Sequence, residues 1–404
     1  MKGPSESKKI RVFHVITRFD KGGSAENTFL TLMGLDGKKY DLTLIYGSSA
    51  DSGTSPEESK AIEKNIEKIK EKGVKVIPIS SLVRPISPLR DFLAFLTLYK
   101  LFRRGKPLIV HTHTSKAGIL GRWTAFFARV PIIVHTPHGH VFWGYFGKFT
   151  TGIFIILERL TAHITHRLIM LTPAERDDHL NFRIAPEEKF SIIHSGVDLS
   201  PFSHITAATG KQMRESLSIG EREFVIGTVG RLTAIKGHKY LLGAFALYLE
   251  RGGEGQVIIL GEGELRATLE KQADELGISH KLHFLGWRAE VAQIMSTFDI
   301  FVFPSLNEGM GKVIVEAMAC GLPIIASRVG GIKDLIIHGE DGWLVPPAEE
   351  ESLAQALMMM YRDQNLRSNL GKRAKEKAML YSKQAMIKKI EALYHREIEA
   401  RHVK

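Results

Sequence analysis

The 404-residue chain has a single cysteine, Cys320, which excludes an internal disulfide framework and fits a reducing compartment. It also lacks any apolar run approaching the ~18 residues a spanning helix needs, so no segment reads as crossing a bilayer. Beyond a polar, basic start, residues 10–20 are interrupted by Arg11, His14 and Arg18, which argues against a secretory signal core. The expected address is therefore cytoplasmic. No Gly-x-Gly-x-x-Gly fingerprint follows a candidate strand, and no acidic residue closes the second strand to hold a ribose. That disfavours a nicotinamide dehydrogenase. Short repeats and low-complexity tracts are absent too.

Acidic residues are scarce in one region only. Residues 81–170 hold 12 basic and 2 acidic side chains. The whole excess of +11 lies in residues 1–190, with 29 basic against 18 acidic, whereas residues 191–404 hold 26 of each. Such a field attracts nucleic acid, anionic lipid headgroups or a phosphorylated substrate, unless it is simply a solvated face.

With 44% hydrophobic and 25% charged residues, the rest is an ordinary globular protein of two domains. Short β-rich runs at 10–17, 40–46, 74–79, 108–111, 132–136, 168–171 and 190–194 alternate with helical stretches such as 24–33, 56–72, 89–104, 117–128 and 174–180. The alternation restarts with runs at 224–229, 257–260, 281–284, 300–303 and 323–326, and from Glu350 onward the pattern is wholly helical. Alternation of this kind predicts two α/β domains, each a doubly wound parallel sheet, joined near residues 196–202. Ligands in such sheets bind beyond the carboxyl ends of the strands, and the default site is a cleft between the domains.

Several motifs sit at those strand ends. Gly22-Gly23 follows the first strand and leads into a helix, where bare backbone and a helix N-terminus suit an anion, although a tight turn explains the pair equally. Gly230-Arg231 and Lys236-Gly237 follow the strand at 224–229, placing two cations where they can clamp a diphosphate. Leu260-Gly-Glu-Gly263 is a tight turn that would let a nucleotide lie close. The sharpest motif runs from Pro304 to Pro323. It has Glu308 in a loop, then Gly309, Met310 and Gly311, then Glu316 in the first turns of a helix starting near Lys312. Free amides at that N-terminus can meet an anionic group flanked by two carboxylates. Paired carboxylates also suit glycoside hydrolysis, and capping is the ordinary use of either. Cys320 reads as a small buried residue ending that helix.

Histidines cluster at His111 and His113, and at His135, His138 and His140. They follow adjacent strands and should converge. Two His-x-His pairs can bind zinc, but no Asp, Glu or Cys lies near them in sequence, so most are expected to bond backbone in strand-end loops. One or two would face substrate. Residues 140–149 add five aromatics beside the basic region. The helix at 89–104 carries Leu89, Phe92, Leu93, Leu96, Tyr99 and Phe102 before Arg103-Arg104, an apolar face expected mostly to pack on the sheet.

Together, Gly22-Gly23, the segment around His138, Gly196-Val-Asp198, Gly230-Arg231 with Lys236, and the Glu308–Glu316 pair resemble the retaining glycosyltransferases of family 4, with the two-domain GT-B fold. The resemblance covers nearly the whole chain. It implies an acceptor domain at 1–195, a nucleotide-sugar domain at 196–382, and a helix at 383–404 crossing back to the first. It implies that Arg231 and Lys236 neutralise the leaving diphosphate and that Glu308 holds sugar hydroxyls. Gly230, Gly309, Met310 and Gly311 then line the donor, and Glu316 binds the ribose. His138 faces the donor sugar, with His140 as the alternative, and Gly23 touches phosphate or acceptor. The family needs neither cofactor nor metal, and the sequence has no Asp-x-Asp to hold a divalent ion. The implied partners are a nucleotide-sugar donor, UDP-linked by expectation, and a saccharide or lipid-linked saccharide acceptor. Aromatics and cations in the first domain suit peripheral contact with an anionic membrane face rather than nucleic acid. A GT-B epimerase, a transferase to a soluble acceptor, a glycoside hydrolase and a plain binding module remain as rivals.

Overall fold

The computed structural model describes residues 9–402 except 21, 48–55, 139–146 and 204. The chain divides into two compact units, one running to Gly196 and resuming at Lys383, the other spanning Val197–Ser382.

The first unit contains strands β1 (Ile10–Ile16), β2 (Tyr40–Gly47), β3 (Lys75–Ile79), β4 (Ile109–His113), β5 (Ile132–Thr136), β6 (Arg167–Met170) and β7 (Phe190–Ile192). They form one sheet in the order β3-β2-β1-β4-β5-β6-β7, and its ladders are parallel. Helices cover both faces, so β4 and β5 are buried along their whole length. The order reverses between β1 and β4. One core face packs Val12, Ile16, Leu42 and Leu44 of the sheet against Leu32 and Leu35, and the last helix, Lys383–Ala400, joins it. That helix buries Met386, Ile390, Leu393, Tyr394 and Glu397, spaced by three and four residues as one helical face demands. Its approach is so close that a Cβ on Gly34 would lie 1.7 Å from Ile387 Cδ1.

The second unit repeats the plan with β8 (Val225–Val229), β9 (Gln256–Leu260), β10 (Leu282–Gly286), β11 (Ile300–Phe303), β12 (Ile324–Ser327) and β13 (Trp343–Val345), ordered β10-β9-β8-β11-β12-β13 and parallel. Here the order reverses between β8 and β11. Helices pack on both faces of this sheet, giving two buried clusters. The run at 323–326 appears as β12, shifted by one residue. The three residues of β13 had no counterpart in the sequence reading, being too short to show an alternation. The helix Lys148–His163 was likewise not anticipated. Among the described residues no helix is long and apolar enough to cross a membrane.

One expectation about packing is corrected. On the helix Pro88–Gly105 only Ala94, Leu98 and Phe102 are buried, while Leu89, Phe92, Leu93 and Leu96 stay exposed. The core takes a narrow stripe of a wider apolar face. Phe126 and Phe127 at the end of the helix Ser115–Phe127 are also exposed, as are Phe149 and Ile156 on the helix Lys148–His163. The Phe95 and Phe127 rings meet at 6.1 Å, and Trp123 Nε1 donates to Thr161 Oγ1 at 3.1 Å, so the three helices are neighbours.

Candidate functional site

In the second unit the residues singled out by sequence gather where the strand order reverses. The chain leaves β8 at Gly230 and makes a single 3-10 turn, Ala234–Lys236. It enters the helix His238–Glu250 through Gly237, whose φ of +68° and lack of a Cβ are both required: a Cβ there would stand 2.1 Å from the Pro304 carbonyl oxygen. Pro304 opens the loop after β11. Thus backbone crowding locks the two strand-end loops together, and Leu306 N donates to Ile235 O at 2.7 Å. Across this joint Lys236 Nζ forms an ion pair and hydrogen bond with Glu308 Oε1. Ser305 Oγ donates to the same carboxylate oxygen at 3.2 Å, and Lys236 Nζ lies 5.3 Å from the Phe303 ring centroid.

Glu308 is held from behind as well. Gly331 N donates to its carbonyl at 3.1 Å, and a Cβ on Gly330 would be 2.0 Å from that oxygen. Met310 is buried, and Gly311, at φ +69°, caps the nine-residue helix Lys312–Cys320. A Cβ on Gly309 would meet nothing within 4 Å among the described residues, so they do not demand glycine there. Arg231 is exposed, and among the described residues its guanidinium has no ion-pair partner. Glu316 sits in the second turn of its helix and lines a cavity of ≈ 500 Å³ with Pro201, Phe202, Glu290 and Gln293. The structure therefore joins Lys236 and Glu308 directly, places Gly230 beside the Lys236 stem, and sets Glu316 on a hollow beside the Pro201–Phe202 segment.

Two readings change here, one in its ground and one in its outcome. In the Leu260–Gly263 turn the chain itself demands the glycines, which leaves the expected approach of a nucleotide without support from them: a Cβ on Gly261 would be 2.0 Å from Gly230 O, and one on Gly263 would be 2.4 Å from Leu232 O. Cys320 is half-buried, not buried, and desolvation followed by the Glu316 charge pushes its thiol up to about 12, so it stays protonated. His238, not singled out by sequence, is buried beside Gly230 with its Nδ1 unpartnered among the described residues. Desolvation and then the Lys236 charge lower its pKa to about 4.

In the first unit Gly22 is the N-cap of the helix Gly23–Gly34, and a Cβ on Gly23 would meet no atom of the described residues within 4 Å. The histidines differ from expectation. His111, His113 and His135 lie inside β4 and β5, not in loops, and they are fully buried. Strand alternation sends His111 and His113 to one face and Thr112 to the other, where it meets His135 Nδ1 at 2.9 Å. His14, which pairs with His111 in the β1–β4 register, joins the first group. His14 Nδ1 is 3.0 Å from His113 Nε2, and His113 Nδ1 is 2.9 Å from His138 Nε2. His111 bonds the Tyr394 hydroxyl at 2.7 Å and Thr136 Oγ1 at 2.8 Å. His14, His111 and His113 bring ring nitrogens within 4.8 Å of one another, the spacing of a metal triad. Side-chain hydrogen bonds already engage every one of those nitrogens except His14 Nε2. His140 and most of the aromatic segment 140–149 lie outside the described residues.

Two doubly wound units, with a cation–carboxylate pair and a glycine-capped helix at the switch point of the second, define the GT-B class of sugar-nucleotide transferases. The comparisons resolve the class further. A profile described as Glycosyltransferase Family 4 matches residues 22–201, and one described as Glycosyl transferases group 1 matches residues 210–377. The chain is 34% identical over 296 residues to the Escherichia coli UDP-Gal:alpha-D-GlcNAc-diphosphoundecaprenol alpha-1,3-galactosyltransferase, covering 72% of this chain and 76% of that one. It is 24% identical to the Staphylococcus aureus capsular polysaccharide biosynthesis glycosyltransferase CapM, over 79% of this chain and 84% of CapM. The Anabaena protein HepE in complex with UDP shares the fold, with TM-score 0.80 and 20% identity over 96% of this chain and 100% of HepE. The chain belongs to the glycosyltransferases of family 4, and it transfers a sugar from a nucleotide-diphosphate sugar.

Proposed function

We propose that the enzyme moves a sugar from a UDP-sugar, with retention at the anomeric carbon and without a metal ion, onto a lipid-linked saccharide in surface-polysaccharide synthesis. The observation that carries this reading is the Lys236–Glu308 pair at the β8/β11 switch point, beside the Gly311-capped helix. Arg231 and Lys236 bind the diphosphate and offset the charge that grows on it as the bond to the sugar C1 lengthens. Glu308 accepts from the sugar hydroxyls, the backbone after Gly309 lies against sugar and phosphate, and Glu316 holds the ribose. His138 faces the reacting sugar, and Gly23 meets phosphate or acceptor. The acceptor hydroxyl attacks C1 on the face the phosphate leaves. Its proton passes to a leaving phosphate oxygen, so one C–O bond forms as another breaks and no enzyme nucleophile is required.

The E. coli relative is named for UDP-Gal and for an acceptor on diphosphoundecaprenol, which supports both choices here. A lipid acceptor must be met at a bilayer. Exposed Leu89, Phe92, Phe126, Phe127 and Ile156 on three neighbouring helices, within a segment of 12 bases and 2 acids, fit an anionic one.

A thermal-shift panel with UDP, GDP, ADP and their sugars tests the donor. UDP raises the wild-type midpoint, since a ligand at ~100 times its Kd stabilises by about 2.7 kcal/mol, and raises that of Glu316→Ala much less. No shift with any nucleotide overturns the donor assignment. Turnover of donor alone marks an epimerase, and turnover only with a soluble saccharide removes the lipid acceptor. In flotation, anionic vesicles carry the full chain and zwitterionic vesicles do not, and Phe126→Ser/Phe127→Ser weakens that association. Equal behaviour with both vesicle types sinks the membrane assignment.

A further inference from the structure

We propose that the first unit carries a second ligand site, a cationic hollow at the amino-terminal edge of its sheet that binds a group with two or more phosphates. The hollow has a volume of ≈ 490 Å³ and lies where β1, β4 and β5 begin, against the ends of the helices Pro88–Gly105 and Ser115–Phe127. Five cations line it, Lys9, Arg11, Arg103, Lys106 and Arg129, and none of its described lining residues is acidic. Gly22-Gly23 and His138 follow the opposite, carboxyl ends of these strands, about 15 Å away for a five-residue strand rising ~3.3 Å per residue. The hollow therefore lies apart from those strand-end groups.

Cations at the end of a helix have an ordinary use, since they offset its dipole. The charge here is too large for that alone. A helix C-terminus carries about half a negative charge, so two ends account for about one of the five cations and leave a net of about +4. Arg11 serves a helix end in this way, its Nη1 donating to Gly105 O at 2.6 Å. The side chains of Lys9, Arg103, Lys106 and Arg129 have no hydrogen bond or ion pair among the described residues. Other cations of the same unit find acids, as Lys116 does in Asp91 and Arg167 in Glu397. Lys106 and Arg129 also hold φ of +44° and +60°, the left-handed turn after a helix where glycine is the usual residue. The helix Lys312–Cys320 ends in that usual way, at Gly321 with φ +78°. Two of the five charges are thus placed against the preference of the backbone.

Like charges gathered around one concave surface repel, and a bound anion relieves them. The kind of anion follows from the groups present. Three of the five are guanidinium forks, which match phosphate oxygens in pairs. A single phosphate monoester brings about −1.5 to −2, which leaves roughly half of the charge unmet, so two or more phosphates fit better. Buried Phe102, Pro107, Ala128 and Val130 form an apolar floor, and the volume falls in the range of about 300–1,000 Å³ of small-molecule sites, so the phosphates can carry an organic body. A soluble diphosphate and a lipid headgroup with two phosphates present the same chemistry. The lipid has a surface to approach by, because exposed Phe126 and Phe127 end their helix just before Arg129.

Calorimetric titration of the full chain with inorganic pyrophosphate at fixed ionic strength tests the site. Arg103→Gln/Arg129→Gln should weaken this binding about 10–100-fold, the worth of the charge-assisted hydrogen bonds removed. Both side chains are exposed and unpaired among the described residues, so the variant should melt no lower than the wild type. Arg103→Lys/Arg129→Lys keeps the charge without the forks and should recover part of the affinity. Lys236→Ala, in the other unit, should leave the hollow's affinity unchanged, which separates this site from the proposed donor position. Vesicles containing cardiolipin, which has two phosphates, against phosphatidylserine vesicles of matched surface charge then identify the source. A cardiolipin preference that Arg103→Gln/Arg129→Gln removes assigns a lipid, and pyrophosphate binding without that preference assigns a soluble ligand. Neither pyrophosphate binding nor a cardiolipin preference overturns the proposal. So does pyrophosphate binding that responds to Lys236→Ala and not to Arg103→Gln/Arg129→Gln, or binding that chloride at the same ionic strength abolishes.

Discussion

Lys236→Ala should lower kcat about 10²–10³-fold, the usual cost of removing one preorganised group aimed at developing charge. The effect on stability should be small. The Lys236–Glu308 side chains are 24% and 14% exposed, and a partly solvated pair contributes about 0–1 kcal/mol. Glu308 keeps Ser305 Oγ as a donor at 3.2 Å, and its loop stays pinned by Gly331 N. A purely structural ion pair would give the opposite ratio, with folding lost and catalysis spared. Single-turnover rates and a denaturation curve on the same variant separate the two. Lys236→Arg keeps the charge but replaces a compact ammonium with a planar fork, so it should recover only part of the rate. A loss below tenfold in Lys236→Ala would place the diphosphate elsewhere.

The largest effect on folding is expected in the first unit. Arg122, in the helix Ser115–Phe127, has no solvent exposure. It meets Glu158 through two parallel contacts, Nη2 to Oε2 and Nη1 to Oε1, both 2.8 Å, and it donates from Nε to Gly118 O at 2.9 Å. Burial alone would raise the Glu158 carboxyl, but the Arg122 charge and hydrogen bonds outweigh it and hold the pKa at about 2. Arg122→Met leaves that carboxylate buried and unpaired, which should cost about 3–5 kcal/mol in the transition of this unit. Arg122→Met/Glu158→Leu removes both charges and should return most of the loss. A carboxyl depressed on folding contributes stability above its unfolded pKa and loses it as pH falls toward the folded value. The wild type should therefore weaken between about pH 4.5 and pH 2, and this component should vanish in the double variant. The buried His14 acts in the same direction, since its folded pKa near 3 lies below the model-peptide value of 6.5. If Arg122→Met costs under 1 kcal/mol, water reaches the pair and the argument from burial fails.

Neither partner of this pair stood out in the chain. Arg122 looked like one more base in a basic segment, and only the neighbouring helix Lys148–His163 shows why it can be buried. His14 was visible only as a polar interruption of an apolar run. Its place beside His111 depends on which strand pairs with β1, and β4 lies about 100 residues away. Strand register has no local signature, so no inspection of residues 10–17 could have found the imidazole chain. The exposed face of Pro88–Gly105 was misjudged for a related reason: helical spacing reports how wide an apolar stripe is, not how much of it a neighbour covers.

What the sequence determined by itself is the architecture and the positions of the candidate residues in the second unit. Strand–helix alternation requires parallel sheets whatever their partners, and strand ends must carry the ligand groups because backbone hydrogen bonding stops there. Gly230, Arg231, Lys236 and Glu308 stood out as candidates for that reason, lying in loops that follow a strand, and Glu316 stood out through its spacing from Glu308; such positions are local facts. The tertiary structure alone decided which of these residues touch, which histidines share a face, and which apolar side chains remain uncovered. Those outcomes depend on strand order, register and the close approach of glycine backbones such as Gly237 to Pro304, which arise only when segments far apart in the chain compete for the same space.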